Sequence, residues 1–451
     1  MTALLLIMLL VFGLNTIFWT SVGIGRAVNS RWNRRRGKHF VDRSAHAQLA
    51  PADVAVLVAA HNEELVIAET IASAASLVPV ENIFVVSDGS SDGTAEIVRA
   101  AGARVLELNP NRGKAGALAA GIEHFDLCDR FQVVMLLDAD THLAPDYLTT
   151  GLAELSEPGV VAVAGRAATI ATPEPPTRMG RLLVAYRERV YIAVQYLFKY
   201  GQAARWANAV TIVPGFASMY RTEALEHIDV SAPGLVIEDF NMTFEVHAKK
   251  LGRIAFHPRA AIAYTQDPDS FHDYVKQIRR WALGFWQTLR RHRLHVGGFW
   301  VALAAYVVEL VTSSLLFVLL LPVLLVSLGA QFAENLGVGT GDLAHVLPPQ
   351  ALLLGVLVPD FLLTVLAAVV SRRPHYLLYG LAFPVMRIVD AAVCLRTLPL
   401  AWRSRDTGVW RSPARRSRSE TPTDDAPALP PAVVAGSNTR HTTTPPVRAT
   451  G

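Results

Sequence analysis

Three apolar segments, each long enough to cross a lipid bilayer, constrain this chain more than any other feature. Apolar side chains dominate residues 3–25, 299–330 and 351–370. A helix of roughly 20 residues, rising about 1.5 Å per residue, spans the ~30 Å hydrocarbon core. Of the 451 residues, 51% are hydrophobic and 18% are charged, a skew that favours a membrane protein. The sequence therefore predicts membrane spans with a soluble region between the first and the second.

The distribution of basic residues predicts how the chain is oriented. Arginine and lysine cluster at 31–38, after the first segment, and Arg372 and Arg373 follow the third, whereas 331–349 contains neither residue type. Positive charge stays on the cytosolic side, so we expect residues 1–28 to be an anchor with an external N-terminus and the next region to be cytosolic. The basic clusters border apolar segments, which favours membrane-flanking charge over nucleic-acid binding.

The segment 376–402 admits two interpretations. It is apolar, but it carries Arg387, Asp390 and Arg396. Each charge costs about 2.5–3.5 kcal/mol at the bilayer centre. A fourth span would also leave the basic residues 403–418 outside, so a helix in the inner membrane interface is the favoured prediction. Region 299–402 would then contain transmembrane and interfacial helices, and 403–451 would be a basic, largely disordered cytosolic tail.

Residues 50–293 alternate between short β-rich runs and helical stretches. Strands are predicted at 54–60, 82–88, 104–108 and 132–140, with helices beginning near Glu64, Asp92 and Lys114. Alternation of this kind indicates an α/β domain with a mostly parallel sheet. Ligands of such domains bind at the carboxyl ends of the strands.

Polar residues follow the first two predicted strands. His61, Asn62 and Glu63 come after the first, and Asp88 ends the second, where a carboxylate can accept hydrogen bonds from a base or ribose. Lys114 lies at a helix start, a position that suits a diphosphate. A loop that contains Arg-Gly-Lys is more often simply solvated, and this is the alternative for Lys114.

Asp138 and Asp140 follow the fourth predicted strand. Alternation along a strand would place both carboxylates on one side. Like charges repel unless a cation bridges them, and Mg²⁺ prefers one or two carboxylates plus phosphate oxygens. The pair therefore predicts a divalent-cation site, and helix capping is the alternative.

Two further groups lie towards the second span. Glu238 and Asp239 stand between apolar neighbours. Gln277, Arg280 and Trp281 share one face of a predicted amphipathic helix. Their amide, guanidinium and indole suit hydrogen bonding, phosphate pairing and stacking of a sugar ring, whereas an interfacial anchor is the alternative role for Trp281.

Taken in order, these motifs resemble the family-two membrane glycosyltransferases, which include chitin-oligosaccharide, hyaluronan, cellulose and poly-N-acetylglucosamine synthases. The resemblance covers roughly residues 50–295 and implies a GT-A type domain that uses Mg²⁺ or Mn²⁺. Residues 214–221 resemble the acceptor-side loop of the N-acetylglucosamine-polymer branch. Residues 407–411 resemble a loop that closes over the nucleotide, although Val409 intervenes before Trp410. His61 stands where the family often has tyrosine.

The resemblance also implies roles for individual residues. It makes Asp239, with Glu238, the catalytic base and Trp281 the platform for the acceptor sugar. Uridine would be held by Asp88 together with His61, Asn62 and Glu63. The metal would be bound by Asp140 and Asp138, and Asp138 would also contact the substrate. Positive charge beside the diphosphate would come from Arg280 and Lys114, and Gln277 would bind substrate.

The implied function is processive, inverting transfer of a sugar, N-acetylglucosamine as the best guess, from a UDP-sugar to a growing β-linked extracellular polysaccharide. The expected location is the cell membrane, with several passes. The expected partners are the bilayer and export or accessory subunits, without nucleic acid. A non-processive transferase that adds one sugar to a lipid carrier, and a non-catalytic interaction protein, remain alternatives.

Overall fold

The soluble region is built on one large sheet and one small sheet. The computed structural model describes residues 13–35, 49–170, 172–293, 295–337 and 348–403. The predicted tail after 403 and its Trp410 lie outside these residues, as do residues 3–12 of the first apolar segment. The strands, in chain order, are β1 Val54–Ala60, β2 Ile83–Asp88, β3 Arg104–Leu108, β4 Val133–Asp138, β5 His142–Leu143, β6 Val160–Ala164, β7 Arg166–Thr169, β8 Ala217–Arg221, β9 Arg253–Ala255 and β10 Ile262–Thr265.

The large sheet has seven strands in the order β3-β2-β1-β4-β8-β6-β9. β3, β2, β1 and β4 are mutually parallel, β8 runs antiparallel to both neighbours, and β9 is parallel to β6. The small sheet has the order β5-β10-β7. The expectation of an α/β domain with a mostly parallel sheet is confirmed.

Helices pack on the sheet, and long apolar helices follow later in the chain. They are α1 Leu14–Arg35, α2 Ile67–Ala75, α3 Thr94–Ala100, α4 Gly113–His124, α5 Leu127–Arg130, α6 Tyr147–Leu155, α7 Arg178–Ala193, α8 Tyr200–Gln202, α9 Thr222–Leu225, α10 Glu238–Ala248, α11 Phe271–His292, α12 Gly298–Asn335, α13 Pro349–Ser371, α14 Tyr376–Tyr379 and α15 Phe383–Arg403. A π-helical turn, Val194–Lys199, extends α7.

The core lies on both faces of the large sheet. Val56 and Val58 of β1 pack on one face with Ile67 of α2, while Leu57 packs on the other with Leu118 of α4. Every residue of β1 and β2 is buried, which explains their continuous apolar sequence. Because the apolar runs end where the sheet ends, the polar residues after them emerge at its edge.

Three helical segments are long and apolar enough to cross a membrane. Among the described residues these are Gly298–Asn335, Pro349–Ser371 and Tyr376–Arg403. The second and third predicted apolar segments are therefore helices of spanning length. The last segment also qualifies by length and composition, so its interfacial placement stays a prediction.

The amphipathic helix α11 connects the soluble domain to the apolar helices. Its Phe285 and Trp286 pack with Phe299 of α12 and with Cys394 and Ala401 of α15. The Trp286 indole N–H also donates a hydrogen bond to the Cys394 carbonyl at 3.2 Å. α11 therefore lies against the apolar helices along its second half.

Candidate active site

The carboxyl ends of β1, β2 and β4 bring the sequence-predicted residues to one edge of the sheet. Ala60 of β1 lies opposite Ser87 of β2, and Ala59 lies opposite Asp138 of β4. His61 follows β1 directly, and Asp88 is the last residue of β2. The edge is the ligand-binding edge of a parallel sheet.

Asp88 forms the floor of a polar pocket at this edge. Its side chain is fully buried, and its Oδ1 accepts a hydrogen bond from the Arg112 backbone N–H at 2.7 Å. Its Oδ2 is also buried and accepts no hydrogen bond from the described residues. Burial raises the pKa of Asp88, against the opposing effect of the backbone N–H groups of Arg112 and Gly113. A buried acceptor without a partner suits a ligand that brings its own N–H or O–H donor.

His61 and Asn111 complete this pocket. His61 Nδ1 lies 2.7 Å from the Asp88 carbonyl oxygen, which can only accept, so this nitrogen carries the proton. The Asn111 amide donates to the same carbonyl at 3.1 Å. Gly89 has φ +65°, and a Cβ there would lie 3.0 Å from the Asn111 Cβ. The turn after β2 thus requires glycine, because only a residue without a Cβ allows Asn111 to lie this close to the turn.

Asn62 and Glu63 bond the first turn to the second. Asn62 Oδ1 accepts from the Ser91 N–H at 2.8 Å, and its own backbone N–H donates to Ser90 Oγ at 3.1 Å. The Glu63 N–H donates to Thr94 Oγ1 at 2.9 Å. These contacts shape the pocket wall, and the expected contact of Asn62 and Glu63 with a nucleotide stays a prediction.

Lys114 joins the fourth strand to the later acidic pair. Its Nζ lies 2.7 Å from Asp138 Oδ1 and 2.8 Å from Glu238 Oε1. Burial lowers the pKa of Lys114, but the two carboxylates outweigh burial and hold this pKa above its ordinary value. For Glu238, burial alone would raise the pKa, but the charge of Lys114 outweighs burial and holds this pKa below its ordinary value. Lys114 is therefore a fixed cation between two carboxylates that are 100 residues apart in sequence.

Asp138 and Asp140 fit a divalent cation by their chemistry. Burial raises the pKa of Asp138 in spite of Lys114, and the charges of Asp140 and Glu238 raise it further. Asp138, Asp140 and Glu238 together carry more negative charge than Lys114 neutralises. This excess favours binding of a second cation. The described residues contain no group of three or more His, Cys, Asp or Glu that could hold a metal ion. A hard ion at this pair would therefore need oxygens from a ligand, as Mg²⁺ commonly does.

The prediction that strand alternation places Asp138 and Asp140 on one side of β4 was wrong. β4 ends at Asp138, so Asp140 lies in the turn that follows and strand alternation does not apply to it. The side chain of Asp140 is buried, whereas that of Asp138 is about one-third exposed. The turn, not the strand, brings the two carboxylates near each other.

Asp239 has the properties of a general base. Its Oδ1 accepts from the Phe240 N–H at 2.8 Å, and its Oδ2 faces the Gly215 N–H at 3.4 Å. Burial and then the charge of Glu238 raise the pKa of Asp239 to about 7, while Lys114 opposes them. A carboxylate with a pKa near the working pH is suited to accept a proton during catalysis.

Gly215 allows the loop before β8 to approach this centre. A Cβ at Gly215 would lie 2.9 Å from Glu238 Oε1 and 3.1 Å from Lys114 Nζ. The Phe216 carbonyl accepts from the Asp138 N–H at 2.9 Å, which fixes the loop to the end of β4. The segment singled out at 214–221 therefore forms β8 and the wall beside Asp239.

Gln277 and Trp281 share a partner that the sequence did not predict. Gln277 Oε1 accepts a hydrogen bond from Arg187 at 3.0 Å, and the Arg187 guanidinium lies 4.1 Å from the centroid of the Trp281 ring. Arg280 is exposed, and its charge helps lower the pKa of Glu238. The predicted face of α11 thus points partly to the acidic centre and partly to α7.

Comparison with known proteins gives this site a class. Residues 55–229 match the model of the family described as Glycosyl transferase family 2. This part of the chain is therefore similar to a family 2 glycosyltransferase domain. This match and the observed sheet confirm the predicted α/β fold of GT-A type.

Among curated proteins, the chain resembles a poly-beta-1,6-N-acetyl-D-glucosamine synthase of Staphylococcus epidermidis. The two are 27% identical over 269 residues, which cover 56% of this chain and 60% of that protein. The matched region thus spans about three-fifths of the length of that relative. A synthase of the same name from Staphylococcus aureus (strain COL) is 27% identical over 247 residues, covering 53% of this chain and 56% of the relative.

A solved structure also resembles the chain. It is a mannosyltransferase from Pyrobaculum calidifontis in complex with GDP-Man and Mn²⁺, with 19% identity and a TM-score of 0.47. The likeness covers 85% of this chain and 98% of that one.

Proposed function

We propose that this protein is a processive, inverting glycosyltransferase. It transfers N-acetylglucosamine from UDP-N-acetylglucosamine to a growing β-linked polysaccharide on the cytosolic side of the cell membrane. The family 2 domain and the name of the staphylococcal relatives support this substrate class. The bilayer and export or accessory subunits would be its further partners.

One observation carries the proposal: Lys114 ties the carboxylate that follows β4 to the acidic pair that begins α10. Nζ lies within 2.8 Å of both Asp138 and Glu238, and Asp239 is the next residue. A donor held by Asp138 would therefore lie close to a base. Two sites that must cooperate in sugar transfer are adjacent.

The donor would bind across the edge of the sheet. Asp88 would use its unpartnered Oδ2 to accept from the uracil or ribose, with His61 and the Asn62–Glu63 turn as the wall. Asp138 and Asp140 would hold Mg²⁺ or Mn²⁺, which when bound neutralises charge on the departing diphosphate. Lys114 and Arg280 supply further positive charge on that side.

The acceptor would bind between Asp239 and Trp281. Asp239 takes the proton from the acceptor hydroxyl as that oxygen forms a bond to the anomeric carbon. The bond from this carbon to the phosphate oxygen breaks, and UDP leaves with the electron pair. One displacement inverts the anomeric centre, so an α-linked donor gives a β-linked product. Burial and then the charge of Glu238 keep the pKa of Asp239 high enough for the proton transfer.

Processive synthesis requires that the product stay bound between additions. Trp281 offers an aromatic surface on which a sugar ring can stack and slide. α11 continues towards α12, which is one of three helical segments of spanning length among the described residues, so a chain that leaves Trp281 would face the membrane. The soluble domain would lie on the cytosolic side of a multi-pass protein.

The test is to incubate membranes that contain the full chain with labelled nucleotide sugars, one at a time. We expect Mg²⁺- or Mn²⁺-dependent polymer from UDP-N-acetylglucosamine, of a size that exceeds single additions. A product limited to one sugar on a lipid would instead support the non-processive alternative.

A further inference from the structure

A buried arginine lies beneath the half-buried indole of Trp281. Arg187 is only 1% exposed, and its guanidinium carbon lies 4.1 Å from the centroid of the Trp281 ring. Arg187 therefore stacks on the indole from within the protein. Trp281 itself is partly exposed, so part of its surface is accessible to a ligand.

Three other side chains hold this guanidinium in place. Nε pairs with Asp267 Oδ1 at 3.4 Å, and an NH₂ group donates to Tyr191 Oη at 3.2 Å and to Gln277 Oε1 at 3.0 Å. Tyr191 in turn donates to Asp267 Oδ1 at 2.9 Å. One planar cation thus contacts both Gln277 and Trp281, the two half-buried members of the predicted face of α11.

We propose that Arg187, held by Asp267 and Tyr191, is a positioning residue that fixes Trp281 and Gln277 as the platform for the acceptor sugar. This inference rests on the proposed function and identifies residues of the acceptor site that the sequence pattern did not reveal. Arg187 does not touch the donor or the reacting atoms. Its effect passes through the orientation of the indole and the amide.

The chemistry of arginine is matched to this position. A guanidinium is planar, stacks on an aromatic ring and presents several donors in a fixed arrangement. It can therefore fix the plane of the Trp281 ring and the Gln277 carbonyl at the same time. Lysine would keep the charge beside Asp267 but would supply neither the flat surface nor the second directed hydrogen bond.

A purely structural ion pair is the competing explanation, because buried Arg–Asp pairs also join elements of a core. Arg189, two residues along α7, provides the matched control. It is 3% exposed and pairs with Asp360 of α13 at 2.9 Å. Arg189→Lys therefore weakens a buried ion pair on the same helix. Unlike Arg187, Arg189 does not contact Trp281 or Gln277 in the described residues.

The experiment compares wild type, Arg187→Lys, Tyr191→Phe and Arg189→Lys as full chains reconstituted in membranes. Product length, the apparent KM for an added acceptor oligosaccharide, the KM for UDP-N-acetylglucosamine and donor hydrolysis are measured per folded enzyme. For Arg187→Lys we expect the acceptor KM to rise about tenfold and the product to shorten, with the donor KM and donor hydrolysis within about twofold of wild type. Tyr191→Phe should shift the same quantities less, and Arg189→Lys should leave product length unchanged.

A double variant separates positioning from general stability. In a Trp281→Ala background, Arg187→Lys should cause no further shortening, since the platform is already absent. Wild-type product length in both Arg187→Lys and Tyr191→Phe would overturn the inference, as would additive shortening in the double variant. If wild type makes no polymer from any nucleotide sugar, the proposed function fails and the inference fails with it.

Discussion

The pH dependence of sugar transfer follows from the environment of Asp239. With a pKa of about 7, Asp239 is a carboxylate in about one-tenth of the molecules at pH 6 and about nine-tenths at pH 8. Only the carboxylate can take the proton of the acceptor, so the initial rate should rise about tenfold over this range. An aspartate with an ordinary pKa would give a flat profile there.

Burial is the largest cause of this raised pKa, and Glu238→Gln tests the second cause, the neighbouring negative charge. Removing the negative charge next to Asp239 favours its carboxylate form, so the pKa should fall and the rise in rate should move to lower pH by about one pH unit. At pH 6 the rate, as a fraction of each enzyme's own plateau, should then increase about fivefold. The assay is polymer formed from labelled UDP-N-acetylglucosamine between pH 5.5 and 8.5 at saturating metal and donor.

The matched control is Glu245→Gln, the same change on the same helix. Glu245 pairs with Lys249 and has no part in the Lys114 cluster, so its profile should coincide with that of wild type. A profile of Glu238→Gln that is unmoved, or moved to higher pH, would refute the reasoning about Asp239.

Three further predictions concern the metal, the loop and the membrane. Asp140→Ala should lose about a hundredfold in activity together with cation-dependent UDP binding by calorimetry, and full wild-type activity in excess chelator would contradict the metal role. Gly215→Ala should lower the rate about tenfold at unchanged donor affinity, because a Cβ there crowds Glu238 and Lys114; a wild-type rate would show that the loop has room. A reporter fused after Gly451 should behave as cytosolic, since residues 376–402 are predicted to lie in the interface, whereas an exported reporter would require a fourth span.

The parallel half of the sheet was predictable chiefly because three of its four strands, β1, β2 and β4, are almost entirely buried. Val54–Ala60 and Arg104–Leu108 were predicted with the observed bounds, and the other two parallel strands within two residues. The apolar runs of the three buried strands are continuous and end in polar turns, whereas β3 is a partly exposed strand at the edge of the sheet. The same burial made the positions of Asp88 and Asp138 at the edge predictable.

The antiparallel half was not predicted, because its strands are set by pairing distant in sequence. β8 inserts between β4 and β6, and β10 pairs with both β5 and β7. Short strands of this kind carry little periodicity of their own. Long-range packing therefore decides where they form.

The contact of Arg187 with Trp281 was not predicted from the sequence, for the same reason. Arg187 and Gln277 are 90 residues apart, and only the fold of α7 against α11 brings them together. The presence of arginines among the apolar residues of α7 was one available signal. It indicated a charge that needs a partner but not which partner.

Asp239 is the proposed base of a polymerising sugar transfer. The most direct measurement compares wild type and Asp239→Asn in reconstituted membranes, with polymer and bound UDP-N-acetylglucosamine both quantified. We predict polymer from wild type and none from Asp239→Asn, with donor binding by the variant within about twofold of wild type. Substantial polymer from Asp239→Asn would contradict the account.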